Sequence, residues 1–440
     1  MGALGSISRH RGHSVNFNQA SDSDLRMQLE RLQDEYDKLK CAGLNLDLTR
    51  GKPNIAQVSL AGPMDGCLKG DFISDEGVDV RNYGGLDGLL EARQLFGSIL
   101  GAPAKHVLIG GNGSLTLMYQ TVQFALQEGT KGPDSAWKHD GQIKFLCPSP
   151  GYDRHFSICE HLGIELLAVP MLDTGPDMDV IEDLVQQDSQ IKGIWCVPRF
   201  SNPTGCVYSD ETVRRIANLG RIAGKGFAVM WDNAYAVHAL TDTAQPLASI
   251  YDYCEEYDTQ DSVFQFGSTS KMTFAGSGVC FMSSSEANLS AFKRHLAFQT
   301  IGPDKVNQLR HVRFLKDAQH ISQHMAKHAE IIGPRFACVL DILESGLAGT
   351  GMAEWTKPEG GYFISFDSRP GLAKHIVGLA NEIGVKVTPA GATFPYGDDP
   401  RGCNIRLAPT FPSLEDVKAA MQAFVVCVKL ASVEQALTAD

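Results

Sequence analysis

Short apolar runs that stop abruptly at polar residues constrain this chain more than any other feature. Val107-Leu108-Ile109, Lys144-Phe145-Leu146-Cys147, Gly193-Ile194-Trp195-Cys196-Val197, Phe227 to Trp231, Val263 to Phe266 and Val279-Cys280-Phe281 are all strand-sized. Amphipathic stretches lie between most of them. Strands that alternate with helices predict an α/β fold with a mostly parallel sheet, since parallel neighbours need a crossover to join them. In such a sheet ligands sit beyond the carboxyl ends of the strands. The residues just after each run are therefore where chemistry is expected.

Size and charge narrow the possibilities. A chain of 440 residues can bury a large core and divide into two or three folding units. With 43% hydrophobic and 20% charged residues it has the composition of an ordinary soluble protein, and no run approaches a membrane span. The formal charge of -12 argues against a nucleic-acid partner or an anionic membrane. Eleven cysteines with no Cys-x-x-Cys, several inside apolar runs, point to a reducing, cytoplasmic setting. Thirteen histidines show no metal-binding spacing, so no metal site is expected.

Four segments are expected along the chain. Residues 1–20 form a disordered tail; they lack acidic residues, as transit peptides do, and Met1-Gly2 with Ser6 fits the loose N-myristoylation pattern. Residues 21–59 hold a helix with Leu25, Leu29, Leu32, Tyr36 and Leu39 on one face, the alternating run Leu44 to Leu48, and the Arg50-Gly51-Lys52-Pro53 turn. Residues 60–320 carry the apolar runs and form a large domain. Residues 321–440 form a smaller α+β domain, entered by a long helix from about Asp317 to Gly346 and containing Gly361 to Phe366 and Gly384 to Val387. The 21–59 segment joins this smaller domain.

Five run ends carry groups of distinct chemistry. After Ile109 comes Gly110-Gly111-Asn112-Gly113-Ser114 at a helix start, either a cup of free N–H groups for a phosphate or a tight turn with a serine cap. After Cys147 comes Pro148-Ser149-Pro150-Gly151-Tyr152, whose tyrosine either offers a flat face to an aromatic ring or is a half-buried loop residue. Arg199-Phe200-Ser201-Asn202-Pro203-Thr204-Gly205 is a specific turn that leaves the Asn202 amide pointing outward. Asp232 ends a buried run and needs a cation or hydrogen bonds, with Tyr235 three residues beyond. Ser268-Thr269-Ser270-Lys271 ends the fifth, and a lysine there is costly to desolvate unless its amine is used, for instance in a Schiff base. Together they supply a phosphate cup, a ring stacker, a donor to a ring oxygen, a counter-charge for a ring nitrogen and an amine for an aldehyde. That inventory matches pyridoxal 5′-phosphate.

The set Asn202-Pro203-Thr204-Gly205, Asp232 to Tyr235, Ser268 to Lys271 and Asn404-Ile405-Arg406 resembles the fold type I, class I aminotransferases, of which aspartate aminotransferase is the archetype. The likeness runs from about Leu44 to the C-terminus. Arg81 to Gly88 and Gly391 to Gly397 resemble a MocR-type branch of that family. The resemblance implies a homodimer with shared active sites and a transamination between amino acids and 2-oxo acids. Lys271 would form the aldimine and shuttle a proton, Asp232 would keep the pyridine nitrogen protonated, and Asn202 and Tyr235 would bind the ring oxygen. Tyr152 would stack on the ring; Gly113, Ser114, Ser268 and Ser270 would hold the phosphate. Arg406 would grip the substrate α-carboxylate beside Gly51, and Tyr83 would serve the partner subunit's site.

The segment Met272 to Cys280 lacks the arginine that the family carries a few residues after its lysine, which puts the details of phosphate binding in doubt. An acidic substrate such as aspartate, with 2-oxoglutarate as acceptor, needs one more cation; Arg50, Lys52, Lys305 and Arg310 are the candidates. The same cofactor also supports elimination, substitution or decarboxylation, which stands as the alternative reaction. A regulator with an N-terminal DNA-binding domain is disfavoured, because the residues before Leu44 are too few and not basic enough.

Overall fold

The computed structural model describes residues 21–130 and 132–438. The expected tail, residues 1–20, lies outside the described residues.

The apolar runs assemble as one eight-stranded sheet. Its strands are β1 (Val107–Ile109), β2 (Lys144–Ser149), β3 (Glu165–Leu172), β4 (Gly175–Pro176), β5 (Ile191–Cys196), β6 (Ala228–Asp232), β7 (Val263–Ser268) and β8 (Cys280–Ser283). They lie in the spatial order β1-β8-β7-β6-β5-β2-β3-β4. All pairings from β7 through to β3 are parallel, whereas β8 runs antiparallel to both its neighbours and β4 antiparallel to β3. Strands β2, β5, β6 and β7 are buried along nearly their whole length, which explains why they read as continuous apolar runs rather than alternating ones. Strand β3 was not anticipated: beside the short edge strand β4 it buries only Leu166 and Val169, and it contains Pro170, so it has no continuous apolar run.

A second, three-stranded antiparallel sheet has β9 (Ala353–Trp355), β10 (Ile364–Ser368) and β11 (Asn404–Leu407) in that order. The anticipated run Leu44 to Leu48 contributes only Leu46–Asp47, paired in parallel with Val385–Lys386. Helix Asp22–Cys41 begins at the Ser21 side chain, which accepts from the Asp24 N–H. Its Leu25 and Tyr36 enter the same apolar cluster as Phe366, Leu407 and helix Leu414–Thr438. The N-terminal segment thus packs with the C-terminal one, far away in sequence.

One helix, Ala318–Leu347, bridges the two cores. Ile321 and Met325 pack with Phe96, Met272 and Phe281 beside the large sheet, while Ile332, Phe336, Val339 and Leu343 belong to the cluster around Phe366. The change of core falls between Met325 and Ile332, and Pro334 lies just beyond it, within the second core's stretch. Among the described residues no helix is long and apolar enough to cross a membrane, and no group of His, Cys, Asp and Glu is arranged to hold a metal.

Candidate active site

Strand ends from the large sheet and residues of the second sheet converge on a cavity of about 420 Å³. It is lined by Arg50, Gly51, Ser114, Tyr152, Asn202, Asp232, Tyr235, Lys271 and Arg406, nine of the residues singled out from sequence. Gly113, Ser268, Ser270 and Tyr83 are not among its lining residues. Ser270 stays close, its hydroxyl donating to the Asn112 carbonyl at 3.2 Å in the turn before Ser114. Helix Ser114–Gln127 has no side chain capping its start, which leaves the first turn available to an anion. Tyr83 is 82% exposed, on a loop whose Asn82 and Gly84 carbonyls accept from Lys305 Nζ at 2.7 and 2.6 Å.

Lys271 lines the cavity, so its side chain keeps some exposure. The amine nonetheless sits among protein groups, and burial pulls its pKa below the ordinary lysine value, only partly opposed by Asp232. Nζ lies 5.1 Å from the centre of the Tyr235 ring. Burial pushes the Tyr152 phenol up to about 12, helped by the Asp232 and Asp153 carboxylates. Tyr235 is raised for the same first reason, with Tyr152 and Asp232 adding to it. Both phenols are therefore neutral hydrogen-bonding groups in the working pH range.

Asp232 is almost fully buried. Its Oδ2 meets His155 Nε2 at 2.9 Å, while its Oδ1 has no protein partner. Sequence reasoning missed His155. It sits in the first turn of helix Asp153–His161, stacked on Trp195 with ring centres 4.3 Å apart, and nothing local marks it as the partner of a strand end 77 residues away. A buried carboxylate oxygen without a donor is costly, and a ligand N–H would satisfy it.

Arg406, in the middle of β11, is 9% exposed. Its Nη1 donates to Asp153 Oδ1 at 3.0 Å and to Asn202 Oδ1 at 3.3 Å, and its Nε to Thr388 Oγ1 at 3.4 Å. The guanidinium carbon lies 4.9 Å from the Phe363 ring centre. Phe363 also explains Gly51, because a Cβ there would run into that ring. Gly205 has φ +73° and backs onto Pro358, so no side chain fits where the Asn202 turn meets the second sheet. Of the four candidate cations for a distal carboxylate only Arg50 lines the cavity. Lys52 covers the Phe411 ring at 3.9 Å, Lys305 is committed to the Tyr83 loop, and Arg310 is absent from the lining. Arg154 lines it too and was not anticipated.

Behind Lys271 runs a buried polar clasp. The Met272 carbonyl accepts from His324 Nε2 at 2.6 Å. A carbonyl only accepts, so His324 carries its proton on Nε2, which lies 3.2 Å from His328 Nε2. His328 Nδ1 then accepts from Gln57 Nε2 at 3.1 Å, which also reaches the Tyr362 hydroxyl at 3.0 Å. Tyr362 donates in turn to the Lys271 carbonyl at 3.4 Å. Burial drives His328 down to about 4, His324's charge adding to it, and lowers His324 as well. These neutral rings tie the lysine's backbone to the N-terminal segment, the bridging helix and the second sheet.

With this geometry in view, comparison with known proteins is decisive. The Aspartate amino-transferase family matches residues 20–439. The chain belongs to the aspartate aminotransferase family. It is 46% identical over 427 residues to a Mycolicibacterium smegmatis protein described as an aminotransferase, covering 96% of this chain and 99% of that one. It is 43% identical to a Corynebacterium glutamicum aspartate aminotransferase over 406 residues, 92% of this chain and 94% of that one. The crystal structure of a C. glutamicum aspartate transaminase superposes with a TM-score of 0.93 at 42% identity, covering 96% of this chain and all of that one. A more distant likeness, at 20% identity and a TM-score of 0.71 over 96% of each chain, is to the α-aminoadipate aminotransferase LysN of Thermus thermophilus, solved with N-(5′-phosphopyridoxyl)-L-leucine. The aminotransferase family member described here therefore has the α/β fold expected from its sequence and is itself an aminotransferase.

Proposed function

We propose that this aminotransferase is a pyridoxal 5′-phosphate enzyme that exchanges the amino group of aspartate, or another acidic amino acid, with 2-oxoglutarate. One observation carries the reading: Lys271 Nζ, the unpartnered Asp232 Oδ1 and the Arg406 guanidinium share one cavity. The residues fit the cofactor, because its ring N–H would satisfy the oxygen that the protein leaves without a donor. When bound, the cofactor supplies an aldehyde and an electron-withdrawing ring. Lys271 would hold the aldehyde carbon, Asn202 and Tyr235 the ring oxygen, Tyr152 the ring face, and Gly113, Ser114, Ser268 and Ser270 the phosphate.

The protein's own groups then account for the proton traffic. Lys271, with its pKa lowered by burial, serves as the base that takes a proton from the substrate Cα and returns it on the far side of the exchange. Asp232 keeps negative charge beside the ring nitrogen, and His155 holds that carboxylate in place. Arg406 orients the α-carboxylate by its planar fork, which fixes the direction of the Cα–H bond. Arg50, the candidate that lines the cavity, would receive a distal carboxylate, which favours an acidic substrate.

Residues 60–320 would act as the cofactor-bearing domain, and residues 21–59 with 321–440 as the domain that closes over the substrate and excludes water. Tyr83, Phe298 and Ile301, at 82, 92 and 64% exposure, are large apolar groups that a homodimer would cover, with Tyr83 serving the partner site. The resemblance of Arg81 to Gly88 and Gly391 to Gly397 supports a place in the MocR-type branch. Eleven unpaired cysteines among the described residues suit a cytoplasmic enzyme.

The test is the visible absorbance of the purified protein before and after L-aspartate alone. Loss of the yellow band, restored by 2-oxoglutarate, is the expected result. An unchanged band would reject aspartate and redirect the search to aromatic and neutral amino acids. A band lost but not restored would favour elimination, substitution or decarboxylation instead.

A further inference from the structure

The start of helix Asp153–His161 places three successive functions within four residues. Tyr152 lines the cavity, His155 holds Asp232, and between them Asp153 occupies the Arg406 guanidinium. Asp153 is the acidic residue of the helix's first turn, where the helix dipole favours an ionised carboxylate. Its side chain is 35% exposed, against 10% for Arg406. Its Oδ1 stands 3.0 Å from Nη1, the same nitrogen that meets Asn202. Nη2, the other arm of the fork, makes no hydrogen bond within the described residues. A substrate carboxylate that takes both arms must therefore contend with Asp153 for Nη1, and the two carboxylates repel across one cation.

We propose that Asp153 is an exchangeable counter-carboxylate for Arg406, an internal competitor that the α-carboxylate of each substrate displaces and that reclaims the arginine as each product leaves. The proposal rests on the reading of Arg406 as the α-carboxylate anchor. A partly buried arginine without a counter-charge would bind any carboxylate tightly and release it slowly. A transaminase cycle binds and releases a carboxylate on the same arginine in both halves, so a competitor that weakens all these states equally raises KM for both substrates and eases release without altering the chemical step. Asp153 can yield because it sits at a helix start beside solvent, whereas Asn202 and Thr388 are buried and stay to keep the guanidinium plane in place. Asp153 is thus a positioning residue that sets affinity. It takes no part in proton transfer.

The experiment titrates propionate, a carboxylate with neither amino nor oxo group, into the holoenzyme by calorimetry, for wild type, Asp153→Asn, Asp153→Ser and Arg406→Gln. Loss of the competitor is expected to tighten propionate several-fold in both Asp153 variants, and to lower KM for amino acid and 2-oxo acid alike without raising kcat. Comparable melting temperatures check that the helix start survives, and Asp153→Ser keeps the test valid should Asp153→Asn fail to fold. If Asp153→Asn and Asp153→Ser bind propionate as wild type does, or more weakly, while Arg406→Gln abolishes binding, the counter-carboxylate role is overturned and the anchor stands. If Arg406→Gln binds propionate like wild type, the anchor reading falls and takes this proposal with it.

Discussion

Two regions bring charge to the cavity, and they handle it in opposite ways. At the carboxyl ends of the large sheet, Asp232 is sealed among protein groups, fixed by His155 on one oxygen and left with one oxygen to offer. On β11 of the second sheet, Arg406 is shared among Asp153, Asn202 and Thr388, one of which is a half-exposed carboxylate. The first arrangement keeps a charge constant through a reaction. The second lets one ligand replace another. A site that retains one partner and exchanges another is expected to draw them from separately packed regions, so that one can stay rigid while the other moves.

The largest effect should come from the sheet side. Lys271→Ala is expected to lower turnover by at least about a thousandfold, since on the proposed reading it removes both the amine that binds the aldehyde and the proton carrier. Its melting temperature should hold or rise, because a desolvated amine is no asset to stability. Near wild-type turnover in a steady-state assay would sink the lysine's assignment. Asp232→Asn should follow, with a loss of about 10²–10³ in kcat from the missing electrostatic stabilisation. His155→Phe leaves Asp232 without its donor, and should cost about 1.5–3 kcal/mol in urea denaturation, the range for a hydrogen bond to a charged group. If His155→Phe is as stable as wild type, the sheet side is less fixed than the comparison requires.

How much of this was legible in the sequence follows the same division. Asp232, Tyr235, Asn202 and Lys271 could be found because each lies at the end of a buried strand or in the turn just beyond it, and an abrupt polar residue there has few structural excuses. The strands themselves were readable because both faces are covered. Arg406 stood out by its apolar flanks on β11. What escaped were partners: His155 meets Asp232 across 77 residues, and Asp153 meets Arg406 across 253. Each is an ordinary first-turn helix residue until the fold brings the other charge to it. The histidine clasp was hidden for the same reason, since Gln57, His324, His328 and Tyr362 come from three distant segments. The choice of Arg50 over Lys52, Lys305 and Arg310 likewise needed the folded cavity.

That clasp supplies a pH test of how firmly the lysine's backbone is held. His328 titrates near pH 4 in the folded chain, below the ordinary 6.5. The unfolded chain therefore binds more protons between these values, so the neutral clasp is at full strength above about pH 6.5 and weakens as pH falls toward 4. His328 alone contributes up to about 1.4 kcal/mol per pH unit across that window. Buried His238 and His311, lowered to about 3 and 4 chiefly by desolvation, act in the same direction. His328→Gln can still accept from Gln57 but cannot titrate. Melting temperatures measured from pH 7.5 down to 4.5 should fall less steeply in this variant than in wild type. Parallel curves would show that His328 is not held neutral.

The smallest expected effects separate the two regions most cleanly. Tyr235→Phe removes a buried hydroxyl on the sheet side, and a single hydrogen bond's worth of loss is about two- to tenfold in kcat. Thr388→Val removes the partner of Arg406 Nε, a bond already long at 3.4 Å, and about a twofold rise in KM is expected with kcat unchanged. The contrast follows from when each contact matters. On the proposed reading Tyr235 would hold the reacting ring and be felt most in the transition state, whereas Thr388 would steady the carboxylate anchor, be felt equally in the bound ground state and cancel from kcat. If Thr388→Val lowered kcat as much as Tyr235→Phe, Arg406 would be taking part in the chemical step itself, and the division between a constant side and an exchanging side would fail at the contact where it is easiest to measure.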